Sequence, residues 1–414
     1  MFVGSLVMIV LLALTVPKGG GGPNARDDAA AGGSRLQVGS AESGSPAALD
    51  VAVPPGYGRI PAWTARIAGW TRNVATDDGV VLTRDPAGHV LLLDPTDGHR
   101  VWTSPEATTA DEVGPWRGTI DGVQVAAVVG PGRLVYWGLP LSRAAASPPS
   151  TTATLSPQAG PPPSSRARPG KATAVPLPPG ATVTWVGGSP LIELPNRTVA
   201  VIRSGALVQV PLPPGGRGLA AGGDGVLAVT STTWVRQPAA QSPAAPRPIP
   251  RPEGAVGAPM RVEAVGTTLL LTIWQQANAA GQVLALMDTG SGTNVVRTTV
   301  TAAAQLRTFG IVRETGGTQL ALGPVVVDTY ALKVDLLDLR YVVKGLTRGH
   351  AWTTFSGRAT DLHLTSKGDF TAVPFGTGEA ALPIGVSRPN GGADRAVVVA
   401  PDHGGWLLCG LAAG

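Results

Sequence analysis

Five histidines, one cysteine and a scatter of acidic turns are the residues of this chain with chemistry to offer. His89, His99, His350, His363 and His403 lack the i, i+4 spacing that puts two imidazoles on one helix face around zinc. Most sit beside Gly or where a strand meets a turn, so structural places at strand edges are expected of them. The single Cys409 excludes a disulfide framework and a Cys-based zinc site, and reads as a small buried hydrophobe. Asp288-Thr289-Gly290-Ser291, after the apolar run 283–287, has the residues of an aspartic-protease turn. That chemistry needs two carboxylates sharing a proton, and the chain carries no second copy of the turn. The apolar pair and glycine that would support it, 320–323, come too early. Asp77 with Asp78 and Asp335 with Asp338 are paired acids beside turns, without a partner base. Asn196-Arg197-Thr198 matches a glycosylation acceptor, while a Gly-x-Ser-x-Gly elbow and a phosphate-binding loop are both missing. No catalytic, cofactor-binding or metal-binding residue is assigned.

Composition sets the frame for whatever holds these residues. Of 414 residues 43% are hydrophobic and 14% charged, which excludes a chain disordered throughout, and 56 Gly with 39 Pro demand frequent turns. The net charge is +5, with 27 Arg against 5 Lys. Basic totals attract nucleic acid only when clustered. The densest groups, Arg166, Arg168 and Lys171, then Arg247 and Arg251, fall in Pro-rich stretches that read as solvated linkers. Nucleic acid is not expected as a partner.

The run 1–16 carries no charge and, as a helix, would be about 24 Å long, short of a full bilayer crossing but fit for the apolar part of an export signal or anchor. A preceding basic flank is missing, which leaves room for a start upstream of Met1. Ala29 and Ala31 lie too far on for a cleavage site, and no Cys follows for lipid attachment. An uncleaved signal-anchor over 1–17 is the preferred reading, with a cleaved signal as the alternative. Residues 18–55, rich in Gly, Ala, Ser and Pro, read as a flexible stalk. The stretches 144–180 and 238–259 have the same character and read as excursions from a folded region, 56–414.

Within that region the pattern is β throughout. Short runs rich in Val, Leu, Thr and Trp end in Gly, Pro, Asp or Asn, as at 80–83, 90–93, 123–129, 199–202, 207–210, 226–230, 269–273, 283–286, 325–327 and 396–399. The best helix candidate, 299–305, is weak. One unit reads Gly88-His-Val-Leu-Leu-Leu-Asp94-Pro-Thr-Asp-Gly98, and it returns from Gly281 to Gly292 with one residue inserted. Gly205 to Gly215 and Gly368 to Gly378 keep the spacing with Pro at the strand end, Gly132 opens a shorter copy, and 318–327 has room for a degenerate one. An apolar run precedes most copies, so each is a hairpin whose Gly supplies the positive φ. Once 144–180 is set aside, the period is about 40 residues, that of a four-stranded propeller blade.

Ala62-Trp63-Thr64 recurs as Val101-Trp102-Thr103. With these residues in place, 79–103 resembles the pyrroloquinoline quinone-like (PQQ-like) repeat family, whose blades run apolar strand, Gly, Leu-rich strand, Asp, Gly, then Trp. The close match covers about 45 residues, with looser echoes to Gly378. The resemblance implies an all-β propeller of about seven four-stranded blades, with six or eight also compatible, behind the N-terminal apolar helix. The strand 61–67 is expected to close the ring against 405–411. Quinone dehydrogenases of this fold use adjacent cysteines and a calcium held by carboxylates, and one Cys cannot supply the former. The functional expectation is a non-catalytic, membrane-anchored extracytoplasmic module that binds or scaffolds a protein partner at the cell envelope, with no small-molecule cofactor. The alternative is a degenerate quinoprotein-like oxidoreductase, or a hydrolase using channel carboxylates.

Overall fold

The structure is a computed structural model, and it describes residues 47–68, 74–77, 80–140, 170–223, 225–238, 244–277, 281–301, 306–314, 318–347, 350–355, 358–364, 370–376, 379–387, 395–402 and 405–414. The apolar run 1–16, most of the stalk, His403 and the first part of the 144–180 segment lie outside these residues. Among the described residues no helix is long and apolar enough to cross a membrane.

Among the described residues, thirty-two strands form eight antiparallel sheets of four. In chain order the blades cover 74–103, 113–176, 182–210, 217–248, 255–301, 311–336 and 341–374, and in each the strands are paired consecutively from the inside outward. Blade 8 is composite: Leu382–Ser387, Arg395–Asp402 and Gly405–Ala413 supply its first three strands, and Tyr57–Ile67, from the other end of the chain, is the fourth. Trp63 faces Gly410 and Ile67 faces Trp406 in that antiparallel pairing. The expected closure by 61–67 is thus present.

Blades 1 to 7 pack on one another, and blade 8 on blade 1, through separate apolar cores. Val80, Leu82 and Leu92 of blade 1 pack on Ala126, Val135 and Trp137 of blade 2, and Trp63 and Leu408 of blade 8 pack on Leu91 and Leu93 of blade 1. Middle strands are buried on both faces and read as unbroken apolar runs, such as Val90–Leu93. The segment 47–53 crosses blade 8 as a strap: Leu49 and Val51 enter its core, and Ala52 exchanges backbone bonds with Glu379 and Ala381, each at 2.8 Å.

Eight blades replace the expected seven, and the extra one is blade 4. Its middle hairpin turns without glycine: the Thr230 hydroxyl accepts the Thr233 N–H at 3.0 Å and thereby does the turn's work. Its outer strand is only Arg247–Pro248, inside the Pro-rich stretch 238–259. The second Pro-rich stretch behaves alike, since Ala172–Pro176 is the outer strand of blade 2 and Val175 is fully buried. Edge strands tolerate proline because their outer N–H groups need no partner. The candidate helix 299–305 begins as strand, Thr293–Thr301. The repeat in 318–327 belongs to blade 6, where Asp328 accepts the Tyr330 and Ala331 N–H groups and Leu332 takes φ 51° in the place of glycine.

Candidate functional site

The residues with the most reactive side chains turn out to hold turns and strands. Asp288 accepts the Gly290 and Ser291 N–H groups at 3.1 and 2.9 Å. Those bonds hold its carboxyl below the usual range, with the Ser291 N–H the largest cause, which is the reverse of a carboxyl prepared to share a proton. Asp94 makes the same turn in blade 1, accepting the Thr96 N–H at 2.7 Å. His89 Nδ1 lies 3.0 Å from the Ser104 carbonyl, and His99 sits in the turn that Asp97 caps. Asn196 accepts both the N–H and the hydroxyl of Thr198 in an exposed turn. Asp335 pairs with Lys333, and Asp338 with Arg340. Arg247 packs its guanidinium 5.5 Å from the Trp234 ring centroid. Burial pushes the Cys409 thiol up to about 12, leaving a weak nucleophile.

One pair is brought together that spacing did not reveal. His350 faces His363 across neighbouring strands of blade 7, with the rings stacked at 4.8 Å. His350 Nδ1 lies 3.0 Å from an oxygen of the buried Asp361. This is the His–carboxylate half of a catalytic triad, but the adjacent hydroxyl, Thr347, accepts the Trp352 indole N–H at 3.0 Å. The set ties three strands together. Among the described residues, no group of three or more His, Cys, Asp or Glu side chains is arranged to hold a metal.

The arginines are organised between blades. Arg203 donates to the Gly223 carbonyl, Arg236 to Thr267 O, and Arg395 to Thr96 O. Each link crosses from one blade to the next. A planar guanidinium with five N–H donors suits this role better than an ammonium. The links concentrate on the inner strands of blades 4, 5 and 6. Arg217 donates to Val262 O at 2.6 Å. Arg261 bonds Glu263 at 3.0 Å and reaches Phe309 O at 2.6 Å, and Arg313 donates to Ala264 O at 2.9 Å. Innermost strands of a propeller leave one edge unpaired, and these guanidinium groups cap part of it. Arg313 is exposed to solvent yet crowded by its neighbours. Burial lowers its guanidinium below the ordinary value, with Glu263 opposing that shift and the like charge of Arg261 adding to it.

Strand polarity identifies one face of the ring. Inner strands all run the same way, so the ends of outer strands and the starts of the next inner strands emerge together. Five exposed hydrophobics occupy such positions: Val256, Leu336, Leu339, Val342 and Val373. On the same face a cavity of about 190 Å³ opens between blades 4 and 5, lined by Arg217, Thr230, Ser231, Met260 and Arg261. A larger cleft, about 560 Å³, lies where the strap crosses blade 8 and includes Asp50, Glu379 and Asp402 in its lining. Arg66 lies 3.5 Å from Asp402 there.

Eight radial four-stranded blades closed by both chain ends define a β-propeller. No protein-family model matches the chain, and no curated protein matches it. Among solved structures it is similar to BamB from Moraxella catarrhalis, with 13% identity over 84% of this chain and 96% of that one and a TM-score of 0.42. It is also similar to Sqt1 from Saccharomyces cerevisiae, at 12% identity over 82% and 96% with a TM-score of 0.43. A computationally designed protein, Ika8, gives 10% identity over 84% and 98% with a TM-score of 0.41.

Proposed function

We propose that this propeller is a non-catalytic binding or scaffolding module, held at the membrane by its N-terminal apolar segment on the extracytoplasmic side, and that a protein partner at the cell envelope docks on the face described above. The observation that carries the reading is the gathering of Leu336, Leu339, Val342, Val256 and Val373 on the face that also opens the arginine-lined cavity. Apolar side chains left exposed together, with charged groups around them, mark protein interaction sites. Ring closure leaves this face rigid, so contacts can form at small entropic cost. The resemblance to PQQ-like repeats suits such a module without requiring the quinone.

A photo-cross-linking residue placed at Leu339 in intact cells tests the reading, with Val101, on the outer strand of blade 1, as the comparison. A discrete adduct from Leu339 and none from Val101 is expected, and Leu336→Asp removes it. Equal adducts at both positions, or none at Leu339, would count against the reading. Protease digestion of intact cells checks the compartment: cleavage of the propeller without lysis is expected.

A further inference from the structure

We infer that the cavity between blades 4 and 5 receives the carboxylate side chains of an acidic segment of the protein partner. The inference rests on the binding-module reading and specifies the chemistry of what is bound. Three guanidinium groups, Arg217, Arg261 and Arg313, come from three successive inner strands. Only Arg261 has an ion-pair partner among the described residues, Glu263; Arg217 and Arg313 are shown bonded to the neutral carbonyls of Val262 and Ala264. A carbonyl satisfies an N–H without cancelling its charge, so the wall between blades 4 and 6 keeps a positive excess.

The cavity opens at the Arg217 end of this wall, where Arg217, Thr230, Ser231 and Arg261 line it. Arginine forks and hydroxyls together suit carboxylate oxygens. Size narrows the class further. At about 190 Å³ the cavity is below the roughly 300–1,000 Å³ of cofactor and drug-sized sites, and it fits one or two side chains better than a free organic cofactor. The exposed apolar residues on the same face give such a segment a surface to continue onto.

The test titrates the full chain, in mild detergent, with a short fluorescein-labelled peptide of alternating Asp and Glu, using the matching Lys peptide and inorganic phosphate as further probes. Saturable binding of the acidic peptide that weakens with salt is expected, with none for the Lys peptide. Arg217→Gln retains an amide donor for the Val262 carbonyl while removing the charge, and should loosen the acidic peptide about tenfold, equivalent to about 1.4 kcal/mol. Arg297→Gln, on the outer strand of blade 5, should leave the affinity unchanged. Recovery of binding in Arg217→Lys supports the charge role even where Arg217→Gln lowers stability. Equal affinity of Arg217→Gln and the natural chain overturns the inference, as does displacement of the peptide by phosphate at or below the peptide's own concentration. A Leu339 adduct formed in full yield by Arg217→Gln also overturns it while sparing the binding-module reading. Peptide binding with no Leu339 adduct sinks that reading and leaves the cavity assignment standing.

Discussion

At the scale of single residues, charge in this protein is mostly spent on joining blades. Glu112 shows how tightly. Its side chain is 2% exposed and accepts from Arg133 at 2.7 Å and from the Thr109 N–H at 2.8 Å, while Arg84 donates to the carbonyls of Glu112 and Thr109. Glu112→Gln removes the charge facing two guanidinium groups and should cost about 1–3 kcal/mol, read as a lower urea midpoint at unchanged slope. Asp338→Asn breaks an exposed pair with Arg340 and should leave that midpoint where it is. The turn roles of Asp94 and Asp288 were legible, because they and the glycines after them follow one local pattern. The arginines were not. Arg over Lys can be read as a bias of composition, since these guanidinium groups act on carbonyls far along the chain, as with Arg236 and Thr267 or Arg313 and Ala264. Nothing local to Arg217 or Arg313 announces that role. His350 and Asp361 escaped for a like reason, as strand register rather than sequence spacing brings them together.

Among elements, legibility followed the turns. Blades whose hairpins use glycine were readable: Gly88, Gly132 and Gly205 all take positive φ. Gly281 is needed for another reason, a Cβ there meeting Val300 O at 2.5 Å. Blade 4 was hidden by its threonine turn and two-residue outer strand, and this accounts for the missing eighth unit. The repeated Trp motif was read correctly as a blade marker, with Trp63 and Trp102 on the outer strands of adjoining blades. Trp63 also donates to Pro95 O at 3.0 Å, tying blade 8 to blade 1. Its ring lies over Gly410, where an added Cβ would come within 2.1 Å of Nε1. Gly410→Ala should therefore cost at least about 2 kcal/mol, seen as a lower thermal midpoint. Gly58→Ala on the same strand pair meets nothing nearer than 3.9 Å and serves as the neutral comparison.

At the scale of the whole molecule, ring closure covers the apolar blade faces, such as Trp63 and Leu408 against Leu91 and Leu93, that an open array would leave bare at its seam. Deleting 47–67 strips both the strap and the fourth strand of blade 8, leaving Gly405–Ala413 as a bare edge. The shortened protein should associate through that edge, seen by light scattering, and unfold at lower temperature. Propeller class and closure were readable because hairpins and terminal strands are local patterns, whereas the face carrying the exposed hydrophobics needed strand polarity in three dimensions. The composite blade also sets a timetable for synthesis. Tyr57–Ile67 leaves the ribosome before the other strands of the ring, and its partner Gly405–Ala413 after them. At roughly 5–20 residues per second the early strand waits on the order of 20–70 s for its mate, while seven blades are made in between. The ring can therefore close only once 405–413 has been made, and until then the nascent protein has to keep a sticky, unmatched strand from finding the wrong neighbour.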